Sequence, residues 1–354
     1  MALRTSRPSG LATSNDGVHW RALNGGRAVV ALGHGCDSDT TVFYHCERDS
    51  FVLIKRRNVP TPENWRQIRG VEIWTNLDLE NASGWRRESS FWLDREGRND
   101  VYRRQLYGLL ATPMDGGLYL GVAHCLEFPK RLGARGDQLK LYLATSRDGI
   151  DYNLDNIYLG EELVPLRTAD DSTTNTIFPA NQFLTHGGLH WLFFEAKETP
   201  HEDRFASPGR LGVATWRAGR LAALSVSWRS REGVATTKPF HLRSHASLTL
   251  NLVLPDPQAS CVVELLRDQR LVAESAPLHG PLDSVAALVT WQTKREPFLH
   301  GIANARLRFR LRGGAAGSLR LHGIRVTATA APAAPAAATD GMGDARTGPE
   351  LVKP

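Results

Sequence analysis

LATSNDGVHW at residues 11–20 and LATSRDGIDY at residues 143–152 agree at six of ten positions. Each reads as a strand (Leu-Ala-Thr), a turn whose Asp-Gly supplies a left-handed backbone position, and an aromatic that tucks back under the strand. Looser copies are EIWTNLDLENASGW at 72–85, with Asp78 in the turn and Trp85 closing it, and RLGVATWRAGRL at 210–221, with Arg-Ala-Gly-Arg as the turn. With Ser14, Asn76, Ser146 and Thr215 as equivalent points, the steps are 62, 70 and 69 residues. Hairpins recur between them: TTVFYHCERDSFVLIKRRN at 40–58, QLYGLLATPMDGGLYLGVAHC at 105–125 and NTIFPANQFLTHGGLHWLFFEAK at 175–197. Their turns, ERDS, MDGG and THGG, carry the Gly, Asp and Ser that hairpins demand. Several short strands per period, without 3.6-residue periodicity, are the pattern of propeller blades. A plain β-sandwich is the rival, but a sandwich need not repeat a turn phrase.

From about 234 the texture changes to alternating strands without the phrase, as in GVATTKPFHLRSHASLTLNLVL and ARLRFRLRGGAAGSLRLHGIRVT. The expected organisation is all-β: a propeller over 1–233, a β-sandwich over 234–327, and an Ala/Pro-rich tail over 328–354 that cannot bury a core and is expected to be disordered.

Composition narrows the function classes. A chain of 354 residues with 42% hydrophobic content buries two ordinary cores. It has no run of 18 apolar residues, and MALRTSRPSG lacks the apolar middle of a secretory signal, so no membrane partner is expected and the compartment stays open. Cys36, Cys46, Cys125 and Cys261 lack metal-ligand spacing and read as packing residues. The net charge of +6 rests on scattered arginine, with no recognition helix or aromatic sheet motif, so no nucleic-acid partner is expected. No glycine-rich phosphate loop, His-Glu-x-x-His or G-x-S-x-G occurs, and no cofactor or metal is implied. Asn81-Ala82-Ser83 is a glycosylation triplet that matters only in a secreted protein.

The order LATSxDGxxW, CDSDTTVFYH, FVLIKRR with IRGVEIWTNLDLENASGW, DVYRRQLYG, LYLATSRDGIDY, and GVATTKPF leading into LTLNLVL and CVVELL resembles five-bladed β-propeller proteins related to glycoside hydrolases. These are of the invertase, levansucrase and arabinanase type, often with an appended β-sandwich. The resemblance covers residues 11 to about 327. It implies a glycan held in the propeller channel, with a catalytic Asp on the innermost strand of the first blade. Five blades of about 65 residues need roughly 325 residues, whereas about 230 are present before the sandwich. The chain also opens on what reads as the last strand of a blade. The resemblance therefore implies an N-terminally incomplete or degenerate propeller.

Polar residues at the start of inner strands converge on the channel. Glycoside hydrolysis needs one carboxyl to protonate the leaving oxygen and another to activate water or attack. Asp37 stands before the inner strand of the first complete blade and matches an Asp of the resembled family. Its alternative is a strand-entry cap on backbone amides, and Asp39 is its understudy. Asp100 and Tyr102, in RNDVYRRQLYG, take the same place in the next blade, with a loop Asp and a packed Tyr as the alternative. Asn175, their equivalent in the last blade, is able only to hydrogen-bond. Glu195 ends the aromatic strand of LHWLFFEAK, where burial beside Trp191, Phe193 and Phe194 raises a carboxyl pKa; the alternative is a solvated strand end. His124 and His201 are candidates to bind hydroxyls or assist a carboxylate, with surface or core histidines as the alternative. Arg56 is a candidate clamp for a carboxylate or anionic sugar, with a blade-stabilising ion pair as the alternative. The Asp16-Gly17 and Asp148-Gly149 turns are assigned to folding.

The expectation is a glycoside hydrolase-like protein acting on an oligo- or polysaccharide through Asp37, Asp100 and Glu195, with Arg56, Tyr102, His124 and His201 binding substrate. The alternative is a non-catalytic carbohydrate-binding or scaffold propeller, its open edge completed by a protein partner.

Overall fold

The computed structural model describes residues 10–26, 40–60, 67–96, 98–114, 117–128, 136–166, 174–201, 203, 206–226, 231–243, 246–292, 301–314 and 318–328. The chain divides into two compact units, Met1–Leu221 and Ala222–Pro354.

In the first unit, β1 (Ala12–Thr13) and β2 (Arg21–Ala22) form a hairpin. β3 (Thr40–His45), β4 (Ser50–Pro60), β5 (Gln67–Asn76) and β6 (Arg86–Phe91) form a four-stranded antiparallel meander. After the short helix α1 (Arg98–Arg103), β7 (Arg104–Met114), β8 (Leu118–Glu127) and β9 (Gln138–Ser146) form a second meander. Its outer edge takes β10 (Tyr152–Asn153) and, beyond α2 (Asp155–Leu159), β11 (Glu162–Val164). β12 (Thr176–Pro179) and β13 (Leu184–His186) lie end to end along β14 (Leu189–Lys197), and β15 (Arg210–Arg217) pairs with the other edge of β14.

These meanders are blades, and side-chain alternation explains their stacking. Phe43, Val52, Ile54, Val71 and Ile73 of the first blade pack on Leu106, Leu109, Ala123, Tyr142 and Ala144 of the second. The opposite face of the second, with Leu110, Leu120, Val122, Leu141 and Leu143, packs on Ile177, Phe183 and Leu192 of the third. Leu11 and Leu23 of the N-terminal hairpin cover Leu53 and Trp85 on the remaining face of the first blade. Each such buried aliphatic contributes about 1.5–3 kcal/mol, so the interfaces between blades, not isolated hairpins, hold this propeller-like unit together.

The repeated phrase folds the same way twice. In the second copy Asp148 Oδ1 accepts N–H bonds from Ile150 (2.9 Å) and Asp151 (2.8 Å) while Ser146 Oγ accepts from Gly149 (2.9 Å). In the first, Asp16 Oδ1 accepts from Val18 and His19 (both 2.8 Å) and Ser14 Oγ from Gly17 (2.8 Å). Gly17 and Gly149 have φ of 75° and 68°, the left-handed values that require glycine. The closing aromatics differ: Tyr152 is half-buried but Trp20 is exposed, because among the described residues no blade lies on the side of the first copy that faces away from β3–β6. The third copy replaces the Asp-Gly turn with a 3₁₀ turn capped by Asn81, and Trp85 closes it as expected.

The second unit is a β-sandwich. One sheet orders β16 (Leu224–Val226), β25 (Leu319–Ala328), β19 (Ala246–Leu254) and β23 (Leu282–Leu288). The other orders β17 (Glu232–Thr236), β24 (Ile302–Arg312), β20 (Ser260–Arg267) and β21 (Arg270–Glu274), with β18 (Phe240–Leu242) on β24 and β22 (Leu278–His279) on β20. Leu248, Leu250, Leu252, Cys261, Val263, Leu265, Leu307, Phe309 and Leu321 fill the space between them. Because β16 and β17 pair with β25 and β24, residues upstream of 234 belong to this unit. Residues 329–354, most of the Ala/Pro-rich tail, lie outside the described residues. No helix among the described residues is long and apolar enough to cross a membrane.

Candidate functional site

The candidate site begins with an irregular strand. Along β7 and β8, Leu106 faces Cys125 and Gly108 faces His124, so Tyr107 is an extra residue opposite no partner, a β-bulge. Bulges re-aim side chains at strand ends. Here the Tyr107 ring lies 5.0 Å from the His124 ring, 5.2 Å from His201 and 6.5 Å from Phe178, centroid to centroid. The guanidinium carbons of Arg56 and Arg69 lie 5.0 and 5.5 Å from its centroid, within cation–π range.

His201 joins two groups. Its Nδ1 lies 3.3 Å from Asp137 Oδ2 and its Nε2 lies 3.3 Å from the Tyr107 hydroxyl. A carboxylate only accepts, so Nδ1–H faces Asp137 and Nε2 is left to accept the phenolic proton. The result is a carboxylate–imidazole–phenol chain. Arg56, Tyr107, His124, Asp137 and His201 are all buried, and low dielectric strengthens each charge contact among them. Gln105 supports the cluster: its Oε1 accepts from Arg69 N–H (3.3 Å) and Arg69 Nη1 (3.1 Å), and its Nε2 donates to Val101 O (3.1 Å). All three blades contribute: Arg56 and Arg69 from β4 and β5, Tyr107 and His124 from β7 and β8, and Phe178 from β12.

Three residues singled out from sequence, Arg56, His124 and His201, therefore meet around one ring. Alternation sends Lys55 and Arg57 to the other face, where Glu72 takes both at 3.4 Å together with Arg87 at 3.3 Å. Asp37 and Asp39 lie outside the described residues. Asp100 and Tyr102 fall in α1, immediately before the inner strand β7.

Glu195 stands directly opposite Phe178 in the β12–β14 register, one residue pair from the cluster. It is exposed, not buried among aromatics: Phe194 turns to the interface with the second blade, and Phe193 is itself exposed. Lys197 Nζ lies 3.2 Å from its Oε1. The carboxylate occupies the space a Cβ on Gly209 would fill, so Gly209 is part of how Glu195 is placed.

Asn175 borders a different feature, a cavity of about 380 Å³ lined by Gln138, Lys140, Glu162, Pro165, Leu166 and Thr174. Lys140 there is held by Glu127 (3.2 Å) and Glu162 (3.0 Å). Burial pushes its pKa down, but the two carboxylates outweigh burial and the net shift is upward. Burial and the Glu127 charge together push the Tyr142 hydroxyl far above its ordinary value. No group of three or more His, Cys, Asp or Glu among the described residues is placed to hold a metal ion.

Asp137, Tyr107, Arg69 and Phe178 were not singled out from sequence. Asp137 carried the same signal as Asp37, an aspartate just ahead of an apolar alternating strand, but before an outer strand. Tyr107 carried none, because QLYGLL gives no mark of a bulge.

No protein-family model and no curated protein matches the chain. Among solved structures it is similar to one described as a complex of BT0996 with RGII, with TM-score 0.39 and 18% identity over 58% of this chain and 56% of that one. A second, described as a glycoside hydrolase, gives TM-score 0.38 and 17% identity over 58% and 56%. A third, the Bombyx mori GH32 β-fructofuranosidase BmSUC1, gives 0.38 and 10% over 91% and 85%. The chain thus spans little more than half the length of the first two. Likenesses at these scores and identities do not carry an activity across, and the functional reading rests on the residues of the site.

Proposed function

We propose that the first unit binds a glycan over the Tyr107 cluster and acts on it by acid–base chemistry. The observation that carries this reading is the Asp137–His201–Tyr107 chain, set in a buried cluster of arginine and aromatic side chains drawn from three blades. Asp137 orients His201 and offsets the positive charge when the imidazole takes a proton. Arg56 and Arg69 supply fixed donors for hydroxyl or carboxylate groups of a sugar. The hydrolytic carboxyls are assigned to Glu195, which is solvent-facing and beside Phe178, and to Asp37 and Asp100, ahead of the inner strands. Tyr102 and His124 complete the substrate contacts.

A second reading, glycan binding without turnover, is favoured by one observation: the Glu195 carboxylate is already engaged by Lys197. A glycan array followed by calorimetry and a reducing-end assay on the best ligand separates the two. Under either reading Asp137→Asn and His201→Ala weaken binding at least tenfold, which corresponds to about 1.4 kcal/mol. Under the first, Glu195→Gln abolishes product release while binding persists. Retention of a glycan with no product from wild type supports the second, and failure to retain any glycan sinks both.

A further inference from the structure

Among its described residues the first unit makes one lock between neighbouring blades and presents each half of the same lock, exposed, at its two ends. In the completed lock His45, the last residue of β3, points its Nε2 at Asp148 O (2.9 Å) in the turn of the following blade. His45 Nδ1 accepts Arg48 N–H (3.3 Å), so Nε2 carries the proton and donates. The rings of His45, Phe43 and Tyr119 close over Gly149, within 3.3–3.4 Å of where its Cβ would be, and Ile150 is only 7% exposed.

The N-terminal hairpin carries the acceptor half. Its turn has the same Ser–Asp bonding and the same left-handed glycine, but no described residue lies within 4 Å of the Cβ position of Gly17. Val18, the equivalent of Ile150, is 74% exposed, and Trp20 is exposed beside it.

The third blade carries the donor half. His186 ends β13 and faces Leu189 across the hairpin as His45 faces Ser50, and Leu184 faces Trp191 as Phe43 faces Val52. Alternation fixes the side: Leu192 and Phe194 already pack on the second blade, so Leu184, His186, Phe193 and their β15 neighbours Leu211 and Val213 look the other way. That face is exposed, Leu211 by 84%, whereas Val52, Val71 and Ile73 on the matching face of the first blade are buried to 0% beneath the second.

The two open halves are complementary to each other. One offers a carbonyl above a bare glycine with Val18 and Trp20; the other offers an imidazole and an apolar sheet face. We propose that the first unit associates head to tail with a second copy of this chain, the third blade of one molecule receiving the N-terminal hairpin of the next, and His186 Nε2–H donating to Asp16 O. The interface is heterologous: different patches meet, unlike the self-matching patches of a simple two-fold contact. A junction built on one hairpin is smaller than the roughly 800 Å² per partner of a standard interface, so the association depends on concentration.

The experiment is sedimentation velocity of the full chain across a concentration series, with Val18→Glu and Leu211→Glu, both at exposed positions and checked for unaltered thermal unfolding. Wild type associates as concentration rises, and Trp20 emission shifts to the blue. Either variant alone is monomeric, since each lacks one half of every junction. An equal mixture regains a dimer, because Val18→Glu keeps a sound third blade and Leu211→Glu a sound hairpin. A monomeric wild type, association that survives either single variant, or a mixture that stays monomeric overturns the proposal.

Discussion

Asp148→Ala removes one acceptor that serves three donors: the N–H groups of Ile150 (2.9 Å) and Asp151 (2.8 Å) and the Ser146 hydroxyl (3.0 Å). A hydrogen bond to a charged group contributes about 1.5–3 kcal/mol, and an amide left buried and unpaired costs about 1–3 kcal/mol. Asp151 is exposed, so water replaces the acceptor there, whereas Ile150 is buried beneath the first blade. The expected loss is therefore about 2–3 kcal/mol, set mainly by the Ile150 amide. With a urea slope of about 2–3 kcal/mol per molar, the unfolding midpoint of the first unit falls by about 1 M in tryptophan fluorescence. Asp16→Ala deletes the same set of bonds in an exposed copy of the same turn, and its midpoint should match wild type. Acid sharpens the contrast. Burial pushes the Asp148 carboxyl up, but the amides of Asp151 and Ile150, the Ser146 hydroxyl and Arg48 outweigh burial and hold it below its ordinary value. Its stabilisation is therefore complete above the unfolded value of about 3.9 and is lost as pH falls through the lower folded value. The acid limb of the stability curve should flatten in Asp148→Ala. Equal losses in the two variants, or no loss in Asp148→Ala, would refute the assignment of this turn to the packing between blades.

His190 accepts Gly219 N–H at Nε2 (2.9 Å), which leaves Nδ1–H facing Thr185 Oγ1 (2.9 Å), and burial lowers its pKa. This stabilisation is present above the unfolded value of about 6.5 and lost as pH drops below it, so melts between pH 8 and 5 should be flatter in His190→Gln than in wild type. Phe309→Ala, in the core of the sandwich, should cost the second unit about 3–5 kcal/mol while leaving glycan retention by the first intact; loss of retention would move the site out of the first unit. Burial pushes the Cys125 thiol well up and the Cys261 thiol to about 12, while Cys46 is exposed. Peptide mapping after alkylation of the native protein should find Cys46 modified and the other two protected.

What was legible in the sequence is what local chemistry dictates. The Ser-x-Asp-Gly turn specifies its own hydrogen bonds, so two copies far apart fold alike. Gly187-Gly188 closes the β13–β14 hairpin with both residues at positive φ, and LTLNLVL alternates down β19 as a sheet with one buried face must. Arg56, His124 and His201 stood out as polar residues within or after apolar strands, and they meet. What was not legible depends on neighbours. The same closing aromatic is half-buried as Tyr152 and exposed as Trp20, because the decision belongs to the adjoining blade. Glu195 follows two phenylalanines, yet alternation and an open blade face leave it in solvent. Asp137 acquires its meaning only from His201, 64 residues away.

The bulge at Tyr107 has a consequence for how this blade stores its information. Leu106 and Leu109 both pack toward the first blade, while Leu110 packs toward the third. In a regular strand Leu106 and Leu109 would point in opposite directions. The bulge absorbs the extra residue, and removing it would leave Leu106 and Leu109 on one side with no change to the apolar lettering on either face. The lettering of the two faces is complete without Tyr107, whereas the small core of Leu126, Phe128 and Leu139 that its ring joins, and the site, are not. A single inserted codon thus divides what this strand says in two: the lettering of its faces reads the same with or without it, and the ring on which the site is built is written by that codon alone.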